Sequence, residues 1–170
     1  MKILIVSDIH GRGDLLCELL ELHRDRDGLV FLGDGIRDIF TDVTADGRKW
    51  FSGVAGNCDW SSFSSLYDYP EEAFVSADGF KILLMHGHTR GVKSGIEKAA
   101  VYASKGGADI LLFGHTHKPL EKYIPEESEI DGYVFSKPLW IFNPGSLGEY
   151  SYGLLQIKNK QLLFSHGSIK

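Results

Sequence analysis

The chain has 170 residues, of which 43% are hydrophobic and 24% charged, and a formal net charge of −5. That length fits one domain over 1–170 with a sizeable core, and the composition is that of an ordinary soluble globular protein. The acidic balance argues against a nucleic-acid-coating surface and against a polybasic membrane contact, so an anionic substrate would need bound cations rather than surface lysines to attract it.

Only four apolar residues separate Lys2 from Ser7, too few for a signal h-region. No apolar run approaches the ~20 residues of a membrane span. The two cysteines, Cys17 and Cys58, make no disulfide framework, so a cytoplasmic location is expected.

Residues 2–7 read as a buried strand running into Asp8-Ile9-His10-Gly11. Asp8 and His10 project to the same side if extended. Asp14 is placed to cap a helix through about His23 or Arg24. Its packed face would carry Leu15, Leu16, Leu19, Leu20 and Leu22; Cys17 and His23 read as structural. Residues 28–32 form a second buried strand that ends in Gly33-Asp34-Gly35, which completes a βαβ unit with a carboxylate after each strand. Residues 36–43 read as a short helix, Asp46-Gly47 as a turn and 61–65 as a loop. Between them, residues 50–54 read as a strand delivering Gly56-Asn57-Cys58-Asp59.

Residues 71–76 and 80–85 are hairpin strands around Asp78-Gly79, the second ending in His86-Gly87-His88. Residues 95–104 carry a helical pattern, with Ile96, Ala99, Ala100 and Ala103 on one face, stopped by Gly106-Gly107. A buried strand over 109–113 leads to Gly114-His115-Thr116-His117. Residues 118–124 are extended, and the acidic stretch 125–129 reads as a surface loop. A strand over 139–142 ends in Asn143-Pro144-Gly145-Ser146, and 152–157 with 161–164 make a last hairpin. Periodicity therefore gives an α/β fold that becomes β-rich.

Five strand ends carry metal-ligand side chains: Asp8 with His10, then Asp34, Asn57, His86, and His115 with His117. Taken alone, an Asp-x-His or a Gly-Asp-Gly is more often a turn than a site. Repeated at five strand ends the pattern points to a metal site, because strand ends along one sheet edge converge. So many carboxylates and imidazoles are costly to bury without cations. Imidazole, carboxylate and amide donors suit Mn2+, Fe2+, Zn2+, Co2+ or Ni2+, and suit Ca2+ poorly. A Cys-based structural zinc site is excluded.

At these residues the chain resembles the calcineurin-like metallophosphoesterases. The matching motifs are Asp8-Ile9-His10, Gly33-Asp34-Gly35, Gly56-Asn57-Cys58-Asp59, His86-Gly87-His88 and Gly114-His115-Thr116-His117, in the family's order, with Asn143-Pro144-Gly145-Ser146 extending the match. Its size and its Asn-Cys-Asp variant resemble the small bacterial and archaeal phosphodiesterase branch, to which a retromer scaffold subunit is related. The resemblance implies a four-layer α/β/β/α sandwich of two mixed β-sheets flanked by helices, with a dinuclear metal site at the strand ends. It implies that Asp8, His10, Asp34 and His117 hold one metal, and that Asp34, Asn57, His86 and His115 hold the other, with Asp34 as the bridge. Mn2+ is the first expectation for both. The implied activity is metal-dependent hydrolysis of a small phosphate ester, most simply a diester.

Two cations ~3.5–4 Å apart can share a hydroxide of lowered pKa and grip the phosphoryl oxygens, so no protein nucleophile is needed. Asp34, Asn57, Cys58 and His88 are the candidate catalytic residues. Many relatives place a histidine directly after the metal-binding Asn, where this chain has Cys58. A thiol with a pKa near ~8.5 is a weak substitute as acid, and packing is its plainer reading. His88 is the rival proton donor, and Asp59 could orient whichever group acts. Activated or diester substrates with good leaving groups are expected. Relatives often carry a basic residue shortly after the Asn-Pro-Gly-Ser turn; Leu147-Gly148-Glu149-Tyr150 stands here. Arg12, Arg37 and Arg90 lie near the motifs, with surface solvation the plainer reading of each.

Rival readings are a non-catalytic metal-binding scaffold, a dinuclear phosphomonoesterase, and a dinuclear hydrolase of another ester or amide. Trp60, Phe63, Tyr67 and Tyr69 could line a substrate rim or a homodimer contact, or simply pack.

Overall fold

The computed structural model describes residues 1–40, 50–59 and 69–170. The turn at 46–47, the loop at 61–65, and Trp60, Phe63 and Tyr67 lie outside the described residues, as does the end of the helix expected over 36–43.

Two five-stranded mixed sheets form the body of the fold. In the first, β1 (Lys2–Val6), β2 (Gly28–Phe31) and β3 (Trp50–Gly53) run parallel, with Val6 paired to Phe31 and Phe31 to Gly53. The long hairpin of β11 (Ser151–Lys158) and β12 (Gln161–Ser168) extends this sheet antiparallel beyond β1. In the second sheet β5 (Phe80–Met85), β6 (Ile110–Phe113) and β10 (Leu139–Asn143) are parallel. Its antiparallel edges are β4 (Glu72–Ala77) and β7 (Leu120–Ile124). Six parallel strands in two sheets thus present carboxyl ends, and the ligand-bearing motifs follow five of them.

Three apolar clusters define the layers. Ile3, Ile5, Val30, Ile82, Leu84, Ile110, Leu112, Phe142 and Phe164 pack between the sheets. Leu15, Leu16, Leu19 and Leu20 of helix α1 (Gly13–Leu22) cover the outer face of the first sheet. Ala99, Ala100 and Ala103 of helix α3 (Glu97–Lys105) cover the second. The architecture is the expected α/β/β/α sandwich, with α2 (Ile36–Phe40) a short addition. Each fully buried leucine contributes roughly 1.5–3 kcal/mol; the small alanine face of α3 instead lets that helix approach its sheet closely. Among the described residues no helix is long and apolar enough to cross a membrane.

Several local expectations need correction. Asp14 does not cap α1: Arg12 holds the cap position without a side-chain cap bond, and Asp14 sits in the first turn, paired to Arg12 at 2.9 Å. Leu22 is 61% exposed rather than packed, because α1 ends there as the chain turns towards β2. The α3 helix begins at Glu97, two residues later than 95, and stops at Gly106-Gly107 as expected, with Gly107 at the left-handed φ of +71°. The acidic stretch 125–129 is not wholly loop. Glu129–Ile130 (β8) and Tyr133–Val134 (β9) form a small hairpin around Asp131 and Gly132, both at positive φ, and it is anchored by fully buried Phe135. Tyr69 packs edge-on against Phe31 and Phe51, with ring centroids 6.5 and 6.1 Å away, which is the packing alternative of the three weighed for it.

Candidate metal centre

The ligand motifs were expected along one sheet edge. They come from two: Asp8, His10, Asp34 and Asn57 follow strands of the first sheet, and His86, His115 and His117 follow strands of the second. Hydrogen bonds join the two edges. The His115 N–H donates to Asp8 Oδ2 at 3.0 Å, and His86 Nδ1 lies 2.7 Å from the Leu32 carbonyl. The Asn-Pro-Gly-Ser turn also crosses: Ser146 Oγ donates to the Asp8 carbonyl at 2.8 Å, and the Leu147 N–H to Ser7 O at 2.9 Å. Asn143 is fully buried, its Nδ2 donating to Gly114 O and Thr116 Oγ1. That turn fastens the site and does not carry a ligand.

Five of the expected ligands hold left-handed backbone: Asp8 (φ 53°), His10 (50°), Asp34 (60°), His115 (66°) and His117 (59°). Asp and His tolerate this region better than most residues, but its recurrence in five ligands at three strand ends is the kind of local strain that persists where surrounding contacts over-determine it. The Asp8 N–H to Gly33 O and the Ile9 N–H to Asp34 O, at 2.9 and 2.8 Å, are among those contacts.

Asp8 lies at the centre and is wholly buried. Its Oδ2 accepts from Ser7 Oγ at 2.6 Å and from the His115 N–H. Its Oδ1 has no hydrogen-bond partner, yet the Nε2 atoms of His117, His10 and His86 surround it at 3.2, 3.8 and 3.9 Å. Burial raises the Asp8 carboxyl above its ordinary value, against the opposing effects of His86 and Ser7. His86 is also wholly buried, and its Nε2 is without a hydrogen-bond partner. The Leu32 carbonyl can only accept, so His86 Nδ1 carries the hydrogen. In the neutral ring Nε2 then offers a lone pair to Asp34 Oδ2, 3.3 Å away. Two lone pairs facing each other require a proton or a cation between them.

The same holds at His117. Its Nδ1 lies 3.0 Å from Glu149 Oε1, which leaves Nε2 directed at Asp8 Oδ1 and 3.4 Å from His10 Nε2. One proton cannot serve all these atoms; divalent cations fit them. Asp8, His10 and His117 place ligand atoms within 4.8 Å of one another, as do Asp8, Asp34 and His86. A third such group, His10 with Asp34 and Cys58, was not anticipated.

Asp34 is 3% exposed. Burial would raise its carboxyl, but the adjacent His86 imidazole and the Cys58 N–H, which donates to Oδ1 at 2.7 Å, outweigh this and hold it well below the usual carboxylate range. His86 is shifted the other way: burial lowers it, and Asp34 and Asp8 more than restore the charged form. Burial, followed by His86 and Lys93, pushes His115 down to about 4. Its ring lies 4.9 Å from that of His86. Asn57 is exposed at the rim, with Nδ2 3.2 Å from Cys58 Sγ.

Burial, then Asp34, pushes the Cys58 thiol up to about 11. His88 follows the left-handed Gly87, its ring 5.5 Å from His86 and 6.1 Å from His115. Burial, then His86, lowers its pKa, and its buried Nδ1 has no hydrogen-bond partner. Asp59 orients neither group. Its carboxylate instead accepts from backbone N–H groups of the Asp34 loop. Arg90 is held by Glu72 at 2.9 Å and lies over the Tyr102 ring, and Arg12 is held by Asp14 and Tyr150, so neither is simply solvated. Sequence reasoning missed Ser7, Glu149 and the Asp59 contacts; only the motif positions of Ser7 and Asp59, each adjoining a ligand segment, hinted at them.

The model of the calcineurin-like phosphoesterase superfamily domain matches residues 1–168. A probable metallophosphoesterase of Bacillus subtilis strain 168, YsnB, is 29% identical over 160 residues, covering 94% of this chain and 86% of its own. Phosphodiesterase YfcE of Escherichia coli K12 is 28% identical over 179 residues, covering 91% and 87%. The fold is shared with Vps29 of Entamoeba histolytica, solved in complex with Zn2+, at a TM-score of 0.67 and 22% identity over 99% of each chain. Histidines and carboxylates from both sheets meet around Asp8, and the family match runs nearly end to end: this chain belongs to the calcineurin-like phosphoesterase superfamily.

Proposed function

We propose that the protein is a dinuclear metal-dependent phosphodiesterase acting on a small phosphate ester with a good leaving group. Asp8, His10, Asp34 and His117 would hold one cation, and Asp34, Asn57, His86 and His115 the other. The supporting observation is the buried Asp8 Oδ1, which has no hydrogen-bond partner although three imidazole Nε2 atoms lie within 3.9 Å of it. The imidazole, carboxylate and amide donors suit manganese, iron, zinc, cobalt and nickel alike, and Mn2+ is taken first among them on the family resemblance.

When bound, the cations supply Lewis acidity towards the phosphoryl oxygens and acidify the attacking water. The chain does the rest. Leu32 O and Glu149 fix the rings of His86 and His117 so that each Nε2 faces the centre. His86 and the Cys58 N–H together hold Asp34 ionised against its burial. For the leaving oxygen the nearby donors are the Cys58 thiol, a weak acid with its pKa pushed up to about 11, and His88, whose lowered pKa leaves little of it protonated near neutral pH, which is why good leaving groups are favoured. The phosphodiesterase among the relatives supports diesters over monoesters.

Metal analysis with turnover on bis-aryl and mono-aryl phosphates, Mn2+ added, tests this. Two metals per chain and faster diester cleavage are expected. A metal-replete protein inert towards every phosphate ester would overturn the reading in favour of a scaffold; faster monoester cleavage would overturn the diester assignment.

A further inference from the structure

Four backbone N–H groups converge on one side chain outside the ligand set. Asp59 Oδ2 accepts from Asp34 N–H at 2.8 Å and Gly56 N–H at 2.7 Å; Oδ1 accepts from Gly35 N–H at 2.9 Å and Ile36 N–H at 3.0 Å. Three of these donors belong to the loop carrying Asp34. The fourth opens the loop carrying Asn57.

The two loops lie backbone to backbone. A Cβ on Gly56 would stand 2.1 Å from Asp34 Oδ1 and 2.5 Å from Asp34 N, and one on Gly33 would stand 2.6 Å from Gly56 N. At such an approach successive N–H groups crowd together and form a concavity suited to an anion. A water could pair with only some of them, and a neutral side chain would leave donors facing donors. The carboxylate satisfies all four with charge-assisted bonds. The exchange is reciprocal, because Asp34 Oδ1 accepts the Cys58 N–H in return at 2.7 Å. Each loop therefore contributes a carboxylate to the other's backbone, and the Asp59 half holds Asp34 in its left-handed conformation at φ 60°.

We propose that Asp59 is a positioning residue of the metal centre: by gripping both loops it sets the separation and orientation of Asp34 and Asn57, and so the affinity for the cation those two share. The inference rests on the metal-centre reading above. Asp59 touches neither substrate nor metal; it acts through the backbone of residues that do.

Asp59→Asn is the discriminating change. The amide keeps one acceptor oxygen and turns an NH2 towards the other pair of donors. Calorimetric titration of metal-free parent and variant with Mn2+, below both melting temperatures, should show two binding events in the parent. In the variant the event involving Asp34 and Asn57 should be weakened by about 10- to 100-fold, the usual effect of removing support from a metal ligand. A purely structural residue would lower the melting temperature of the metal-free protein and leave the Mn2+ affinity of the folded chain alone. Should Asp59→Asn fail to fold, Asp59→Glu, which keeps the charge but displaces both oxygens, is titrated in its place with the same expectation. Two events in the parent and unchanged affinities in the folded variant overturn this inference alone. A parent that binds no Mn2+ overturns the metal-centre reading and this inference with it.

Discussion

Glu149 Oε1 lies 3.0 Å from Nδ1 of His117, across 32 residues of sequence. A cation beside His117 would oppose metal binding. The carboxylate instead takes the Nδ1 hydrogen and leaves Nε2 free as a donor, the usual arrangement behind a metal-binding histidine. Glu149→Lys should therefore reduce retained metal strongly and Glu149→Gln mildly, by about tenfold or less, since the Glu149 side chain is 66% exposed. Metal content after limited chelation checks this; equal retention in both variants would show that the contact is incidental.

Asp34 bears on both proposed cations, so its loss should not separate binding from turnover. Asp34→Asn keeps the size of the side chain and the Cys58 N–H contact but removes the charge. We expect metal content and diester turnover to fall together, by at least about 100-fold in turnover, with the circular dichroism unchanged. The stabilisation on adding Mn2+ should shrink too. In the parent it should reach about 2.7 kcal/mol at a hundredfold excess over Kd, and chelation should reverse it. A variant that holds two metals and cleaves diesters near the parent rate would refute the bridging assignment.

The parts of this site that were legible in the sequence are short-range. Buried strands that end in Asp-x-His, Gly-Asp-Gly or His-x-His again and again along the chain made Asp8, His10, Asp34, His86, His115 and His117 candidates before their positions in space were known. Their distribution over two sheets could not, because alternation within a strand carries no information on which sheet the strand joins. The supporting contacts were hidden for the same reason. Glu149 on His117, Ser146 on Asp8 and His115 N–H on Asp8 span 32, 138 and 107 residues. Leu22 misled because the helical pattern runs to the last residue of α1, where the chain already turns towards β2. The β8–β9 hairpin has a local signal in Asp131-Gly132, a turn dipeptide between short strands.

Leaving-group protonation divides Cys58 from His88. If the His88 imidazole donates the proton, His88→Ala should slow an alkyl-aryl diester with a poor leaving group by about 100-fold and barely affect a bis-nitrophenyl ester, whose leaving group needs no proton. Cys58→Ser should have the smaller effect on both, since the thiol is held protonated with a pKa of about 11. Equal small losses on good and poor leaving groups in both variants would remove both residues from the proton-transfer step.

His23 offers a test of stability away from the metal centre. It is 8% exposed, its ring meets Tyr152 edge-on at 5.2 Å, and its Nε2 has no hydrogen-bond partner. Burial, then Lys2 and Arg26, lowers its pKa in the folded protein, with Asp25 opposing. Between the depressed folded value and the ordinary value of about 6.5, the unfolded chain binds a proton that the folded one does not. Stability therefore rises with pH across that window and is lost as pH falls through it. The metal ligands titrate as well, so the informative quantity is a difference between proteins. Urea unfolding of the metal-free parent and of His23→Phe, at about pH 7.5 and about pH 5.5, should show a smaller acid loss in the variant, which keeps the ring against Tyr152 but binds no proton. Identical losses would mean that His23 titrates alike in the folded and unfolded chain.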